Sequence, residues 1–440
     1  MVKMTPQILK GTRDFLPPQF IYRKKVMKII ARTFEQFGFA PMETPALEYA
    51  DTLEGKYGEE GDRLIYKFED RGGRKVALRY DLTVPLARVV AMYPLEKPFR
   101  RYQIAPVWRA DKPQKGRYRE FWQCDADIVG TPEVWADAEV IAVTYFALCN
   151  LGFNEFTIRI NNRKLLNGLA LYGGIPEKDM ASFFRVIDKA EKVGWEGVKN
   201  ELINKNFSPE TIEKTITLME GEDSRGEEGL RKLKQILSGI PSGEAGIKEI
   251  EVIQSCLAKL KVDTGLVLFD PSLARGLDYY TGPIFETVIE TPRIGSISGG
   301  GRFDGLIGLF SGKEVPATGT SLGLERIITA MEELRMFPAD STIAPVLVTV
   351  FDQNLVEESL EIASELRTAG INVEVYLNRD KLKKQLDYAN KKGIRLVIII
   401  GSEEKERGEV VVRDMEQKNQ LTVFRSELVK TIHSKLSQQG

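Results

Sequence analysis

At 440 residues, 42% hydrophobic and 28% charged, the chain is too long for one ordinary domain and too apolar for disorder; at about 150 residues per domain it holds two or three. Lys and Arg number 62 against 63 Asp and Glu, so overall charge names no polyanionic partner. Three cysteines without CxxC spacing and a single histidine, His433, exclude zinc ribbons, disulfide frameworks, HExxH sites and Ser-His-Asp triads.

In chain order, the N-terminal stretch lacks the apolar core of a secretory signal, and no apolar run reaches the roughly eighteen residues of a membrane span, the pattern of a cytosolic chain. Val26, Ile29, Ile30, Phe34 and Phe37 form a helical stripe over 21–37, stopped by Gly38. Short runs at 64–68, 76–80 and 103–108 read as strands of an antiparallel sheet. Thr131 before Pro132 predicts a helix N-cap with proline at the first helical position, the helix running to about residue 150. Residues 166–255 are rich in Lys, Glu and Leu, with a helix start at Ser208-Pro209, and carry almost no strand signal; they read as a helical insertion. The β pattern returns after Leu266 and ends in a glycine-rich strand and a helix with Leu324, Ile327, Ile328, Met331 and Leu334 on one face. Beyond a linker containing Ser341 and Thr342, strands at 346–351, 372–377, 396–400, 409–414 and 421–424 interleave with helices at 355–368, 381–392 and 426–436. That alternation predicts an α/β domain with a largely parallel sheet. The expected architecture is an α+β catalytic domain from 1–165 and 256–335, the helical insertion at 166–255, and an α/β domain at 345–440.

Nucleotide signatures of the common kinds fail. No GxGxxG occurs, and the stretch from Gly308 to Lys313 is one residue short of a Walker A loop, with Glu314 where Ser or Thr is needed. Four other segments stand out. Asp81 and Thr83 set a carboxylate and a hydroxyl at a strand end, where they suit an ammonium group or a helix cap. From Lys97 to Arg119, eight basic residues (Lys97, Arg100, Arg101, Arg109, Lys112, Lys115, Arg117, Arg119) face one acid, Asp111, with Phe99, Tyr102, Trp108 and Tyr118 interleaved. The strand that follows puts Phe121, Gln123, Asp125 and Asp127 on one face, a poor core and a plausible pocket floor. The last two segments are 273–282, ending in Tyr279, Tyr280 and Gly282 with Gly299-Gly300-Gly301 close behind, and 319–326, which places Arg326 at the start of the apolar helix.

Taken together, these segments resemble the histidyl-tRNA synthetases, a class II aminoacyl-tRNA synthetase family, along nearly the whole chain. Phe37-Gly38-Phe39 through Pro45 is similar to the dimer-forming motif 1, 108–121 to motif 2 and 319–326 to motif 3. Arg275-Gly276-Leu277-Asp278-Tyr279-Tyr280 resembles the histidine-specific signature. Asp81-Leu82-Thr83 and Gln123-Cys124-Asp125-Ala126-Asp127 are similar to the eukaryote-like form of the family. Motif 2 usually has Glu where this chain has Asp111. The resemblance implies an antiparallel sheet flanked by helices and a C-terminal anticodon-binding domain. It implies that ATP and L-histidine form histidyl-adenylate, and that the histidyl group passes to the 3′ end of tRNA(His). Arg109 and Arg275 fall at the α-phosphate as catalytic residues, and Arg109 also at the substrate carboxylate. ATP is bound by Arg109, Asp111, Arg117 and Arg326, with Phe121 stacked on the base and Mg²⁺ bridging phosphates. Asp81, Leu82, Thr83 and Gln123 surround the α-ammonium, with Asp127, Tyr279 and Tyr280 toward the imidazole, and Arg275 belongs to the histidine-binding set as well as to the catalytic one. A cytoplasmic homodimer without membrane association is expected. The second reading is a non-catalytic synthetase-like regulatory subunit of histidine biosynthesis, whose relatives lack the C-terminal domain and degrade the signature; a nucleic-acid-binding module alone leaves Asp81, Gln123 and Asp127 without a purpose.

Overall fold

The computed structural model describes residues 5–114, 116–275, 279–336 and 342–437, with backbone only at Glu59 and Glu60. Lys115, the signature residues Gly276, Leu277 and Asp278, and Ser341 of the expected linker lie outside the described residues. Contacts divide the chain into two units, one built mainly from 26–336 and the other taking in 342–437.

The first unit is organised on an eight-stranded sheet: β1 (Ala40–Pro41), β2 (Phe99–Trp108), β3 (Glu120–Val129), β4 (Thr157–Asn162), β5 (Val267–Phe269), β6 (Pro283–Val288), β7 (Ser298–Arg302) and β8 (Ala317–Gly323). Its order is β1-β2-β3-β8-β7-β6-β4-β5. Only the outer pairs, β1 with β2 and β4 with β5, are parallel. The antiparallel pattern expected from short strands therefore holds through the centre. The helix Trp135–Asn150 covers one face, its Thr144 hydroxyl bonded to that of Thr320 on β8 at 2.9 Å. That leaves the other face, with the polar residues of β3, for a site.

Two local expectations fail. The helix after β3 starts at Trp135, not Pro132. Arg302 donates to the carbonyls of Thr131 (3.1 Å) and Glu133 (3.0 Å), and the Glu133 carbonyl accepts the Ala136 amide at 3.0 Å in a three-residue turn, so the regular ladder of the helix opens only from the Val134 carbonyl. The strand expected at 64–68 begins only at Lys67, because Gly58–Arg63 forms a helical turn capped by Leu64.

Between β4 and β5 the chain is helical: Arg163–Tyr172, Glu177–Ile187, Ala190–Asn204, Pro209–Ile216, Gly226–Ile236 and Pro241–Lys259. Ser208 caps the fourth of these, accepting from the Thr211 amide at 3.1 Å with Pro209 in the first turn.

The second unit holds a five-stranded sheet of β9 (Val346–Val348), β10 (Val373–Val375), β11 (Leu396–Ile399), β12 (Glu409–Asp414) and β13 (Asn419–Phe424), in the order β10-β9-β11-β12-β13. The expected largely parallel sheet is half so: β9 pairs parallel with β10 and β11, and the other two pairings are antiparallel. The connection from Ile399 to Glu409 holds only the short helix Ser402–Arg407. It falls short of the dozen or so residues that a parallel crossover requires. Val346, Val348, Ile362, Leu366, Ile398, Val412 and Ile432 form this unit's core.

Candidate active site

Register across β2, β3 and β8 stacks the site in rows. Arg101 faces Asp127 and then Gly319; Gln103 faces Asp125 and then Ser321; Ala105 faces Gln123 and then Gly323. Residues two apart on a strand share a face, so the alternation read on β3 delivers Phe121, Gln123, Asp125 and Asp127 to one surface.

The deepest row is ionic. Arg101 is 0% exposed, and its Nη2 lies 2.8 Å from Asp127 Oδ2 and donates to the Leu82 carbonyl at 3.0 Å. Burial pushes the carboxyls of Asp125 and Asp127 above their usual range; Arg101 opposes this in both, while Asp127 raises Asp125 further and Asp81 raises both. Gly319 makes room for that row, since a Cβ there would sit 1.9 Å from Asp127 Oδ1. Gln123 donates to Ser321 Oγ at 2.7 Å.

Asp81 lies just ahead of the helix Thr83–Met92 and does two jobs. Its Oδ1 accepts from the Val84 amide at 3.1 Å, the capping role weighed from sequence, and from the Tyr57 hydroxyl at 2.8 Å. Burial raises its pKa despite those two hydrogen bonds. Asp81, Thr83, Arg109, Gln123, Asp127, Tyr279 and Tyr280 line a small inner chamber of about 70 Å³.

Next to it opens a cavity of about 360 Å³ that shares Arg109, Gln123, Tyr279, Tyr280 and Gly299 with the inner chamber. Its walls carry Asp111, Arg117, Phe121, Arg275 and Arg326. The loop between β2 and β3 is pinned at its base by the Arg109 amide bonding the Arg119 carbonyl at 2.9 Å. The Arg109 guanidinium lies over the rings of Tyr80 (4.3 Å) and Phe121 (5.0 Å), and Arg117 pairs with Asp111 at 3.5 Å. Arg326 donates to the Ser296 carbonyl at 2.5 Å. Burial first, and then Arg275, Arg117 and Arg109, lower the pKa of Arg326. Cations that repel one another across a cavity leave it poised for a polyanion.

The structure thus gathers around the two chambers every described residue assigned to histidine or ATP from sequence, except Leu82, while Asp125 and most of the basic run from Lys97 to Arg119 line neither. The Leu82 side chain packs instead with Ala105, Val107 and Phe121. Sequence reasoning missed Arg101, Tyr57 and Ser296, the partners of Asp127, Asp81 and Arg326, as well as Glu286, which bonds Arg275, and Glu325, which lines the larger cavity. Arg101 and Gln103 repeat on β2 the polar alternation of β3, a signal that was present; Glu286 stands as a lone charge in the run Ile284–Val288; Tyr57 and Ser296 had none. Among the described residues, no cluster of three or more acidic, Cys or His side chains is placed to hold a metal, and no helix is long and apolar enough to cross a membrane.

Residues 11–327 match the family model described as histidyl-tRNA synthetase, and residues 342–435 that described as anticodon binding domain. The chain is 42% identical over 436 residues to the histidine–tRNA ligase of Aeropyrum pernix, covering 97% of this chain and 98% of that one. It is 43% identical over 417 residues to the histidine–tRNA ligase of Rhodopirellula baltica, covering 94% of each. The crystal structure of histidyl-tRNA synthetase from a Nostoc species superposes with a TM-score of 0.88 at 32% identity, covering 98% of this chain and all of that one. A Bacillus halodurans chain titled an ATP phosphoribosyltransferase regulatory subunit/histidyl-tRNA synthetase shares the fold at a TM-score of 0.74 and 24% identity, over 87% of this chain and 97% of that one.

Proposed function

The chain belongs to the histidyl-tRNA synthetase family, and on that premise we infer that it ligates L-histidine to tRNA(His) at the expense of ATP. A carboxylate oxygen of histidine attacks the α-phosphorus. A C–O–P anhydride forms as the bond from that phosphorus to the pyrophosphate breaks, and pyrophosphate leaves. The 3′-hydroxyl of the terminal adenosine then attacks the histidyl carbonyl. The ester forms, AMP departs, and the hydroxyl proton is lost to the surroundings.

The observation that carries the assignment of roles is the pairing of an arginine-walled cavity with a carboxylate-lined chamber behind it. In-line attack builds charge on the non-bridging oxygens, where fixed cations stabilise the transition state more than the ground state. Arg109 and Arg275 take that role, and Arg109 also steers the substrate carboxylate. Arg117 and Arg326 hold the outer phosphates and adenine, Asp111 contacts the adenine, and Phe121 stacks on it. Behind them Asp81, Thr83 and Gln123 receive the α-ammonium. Asp127, with Tyr279 and Tyr280, accepts an imidazole N–H and so fixes the ring. An amino acid unable to make that bond leaves a buried carboxylate unmatched, and such sites reject by roughly 10⁴–10⁵.

ATP brings Mg²⁺ in this family. The protein would hold it mainly through the nucleotide's own phosphates and water, with Glu325 the buried carboxylate lining the same cavity. The ion would neutralise phosphate charge there. A homodimer formed through the segment from Phe37 to Pro45, working in the cytoplasm, completes the proposal.

The regulatory-subunit reading has the fold alone behind it, at 24% identity. Histidine-dependent ATP–pyrophosphate exchange tests the assignment: Arg275→Ala should lower it by at least about a hundredfold, the scale of losing one oxyanion donor. Unchanged exchange in that variant removes Arg275 from the reaction.

A further inference from the structure

Arg275 is tied down on one side. Its Nη1 bonds the carboxylate of Glu286 and the Ser296 hydroxyl, the latter at 2.8 Å, while the side chain stays 40% exposed along the cavity. Glu286 lies on β6 directly across from Arg159 on β4, and its Oε1 is 3.2 Å from Arg159 Nη1. That same nitrogen bonds the carboxylate of Glu191, on the helix Ala190–Asn204 of the inserted segment. Arg159 Nε reaches Asp270 at 2.9 Å, and Asp270 in turn is 3.3 Å from Nε of Arg225, which precedes the helix Gly226–Ile236.

The charges therefore alternate without a break from the inserted helices to the cavity: Arg225, Asp270, Arg159, Glu286, Arg275, with Glu191 as a branch at Arg159. Asp270 is fully buried, and Glu286 and Arg159 nearly so, so the inner links lie where water screens little. Because one nitrogen of Arg159 serves both Glu191 and Glu286, moving the insertion's carboxylate changes the geometry on the catalytic sheet.

We propose that Glu286 is a positioning residue for Arg275 and that Glu191, from the helical insertion, sets the outer end of the same charge chain, so that the placement of the insertion governs the adenylation step. The proposal rests on Arg275 acting at the α-phosphate. Misplacing a catalytic group by about 1 Å costs up to about a hundredfold in rate, so a chain that holds the guanidinium matters to turnover without touching substrate. Gly299 fits the same picture: a Cβ there would lie 3.0 Å from Arg275 Nη1.

The test is a double-mutant cycle in histidine-dependent ATP–pyrophosphate exchange, with Arg275→Ala run alongside. Glu286→Gln should lower kcat about tenfold or more. Glu191→Gln, at an exposed carboxylate that tolerates the change, should lower it about threefold, the lower end of coupling between groups that share a partner. Histidine affinity, read by calorimetry without ATP, should stay at the wild-type value in both. The double variant should be no slower than Glu286→Gln alone. Wild-type kcat in Glu191→Gln, effects that multiply in the double variant, or a kcat loss matched by an equal loss of histidine affinity would each overturn the proposal. If Arg275→Ala loses exchange while the cycle is additive, only the coupling fails; if Arg275→Ala exchanges normally, the role of Arg275 fails with it.

Discussion

Removing Arg101 separates the stability of the site from its function. The guanidinium is wholly buried, 2.8 Å from a carboxylate that is itself 3% exposed. Arg101→Met leaves Asp127 charged without a partner or forces it to take up a proton, and breaking a buried pair from one side costs about 3–5 kcal/mol. Replacing both partners with apolar groups of similar size is often neutral or stabilising, so Arg101→Met with Asp127→Leu should recover most of that loss. All four tryptophans, Trp108, Trp122, Trp135 and Trp195, fall within 26–336. Urea unfolding followed by their fluorescence therefore reports on this unit alone, with free energies from linear extrapolation. The double variant should be stable yet unable to bind histidine, which would mean that the pair is retained for binding at some cost in stability. A single-variant loss below about 1 kcal/mol, under the range for a broken buried pair, or a double variant as unstable as the single, would rule out a buried pair of this kind at Arg101 and Asp127.

Asp125 gives a pH test. Burial raises its pKa in the folded chain, with Arg101 working against the rise. The unfolded chain then releases the proton first as pH climbs from about 3.9. The carboxyl's relative stabilisation is complete below that value and declines as pH rises toward the folded one. Asp125→Asn removes that decline, so its melting temperature should gain on wild type between pH 5 and pH 8; a gap that narrows over that range contradicts the shift. Gly319→Ala would press a methyl to within 1.9 Å of the Asp127 carboxylate. Its histidine KM should rise about tenfold or more, given the cost of misplaced groups, with the ATP KM unchanged; an unaltered histidine KM would mean that the carboxylate moves aside freely.

Much of this architecture is legible in sequence because period and polarity are local. Phe121, Gln123, Asp125 and Asp127 announce a polar strand face whatever the strand pairs with, and Ser208-Pro209 marks a helix start by side-chain chemistry alone. What could not be seen depends on partners distant in the chain. Arg101 reads as one more member of a solvated basic run until β3 is laid beside β2, when it becomes the most buried charge of the site. The carbonyls that Thr131 and Glu133 give to Arg302 are captured from beyond residue 300, and nothing near Pro132 foretells it. Glu286 has Arg159 opposite it only because β4 and β6 pair across the run of helices that separates them in sequence.

Asp127 and Arg275 line adjoining chambers, proposed for the amino acid and the nucleotide respectively. The most direct measurement pairs histidine calorimetry with pyrophosphate exchange on Asp127→Asn and Arg275→Ala. Asp127→Asn should weaken histidine binding by at least about tenfold, as expected for losing a charge-assisted hydrogen bond, whereas Arg275→Ala should lose far less histidine affinity and fail in exchange. Equal loss of histidine affinity in both variants, or normal exchange in either, would overturn that division of roles.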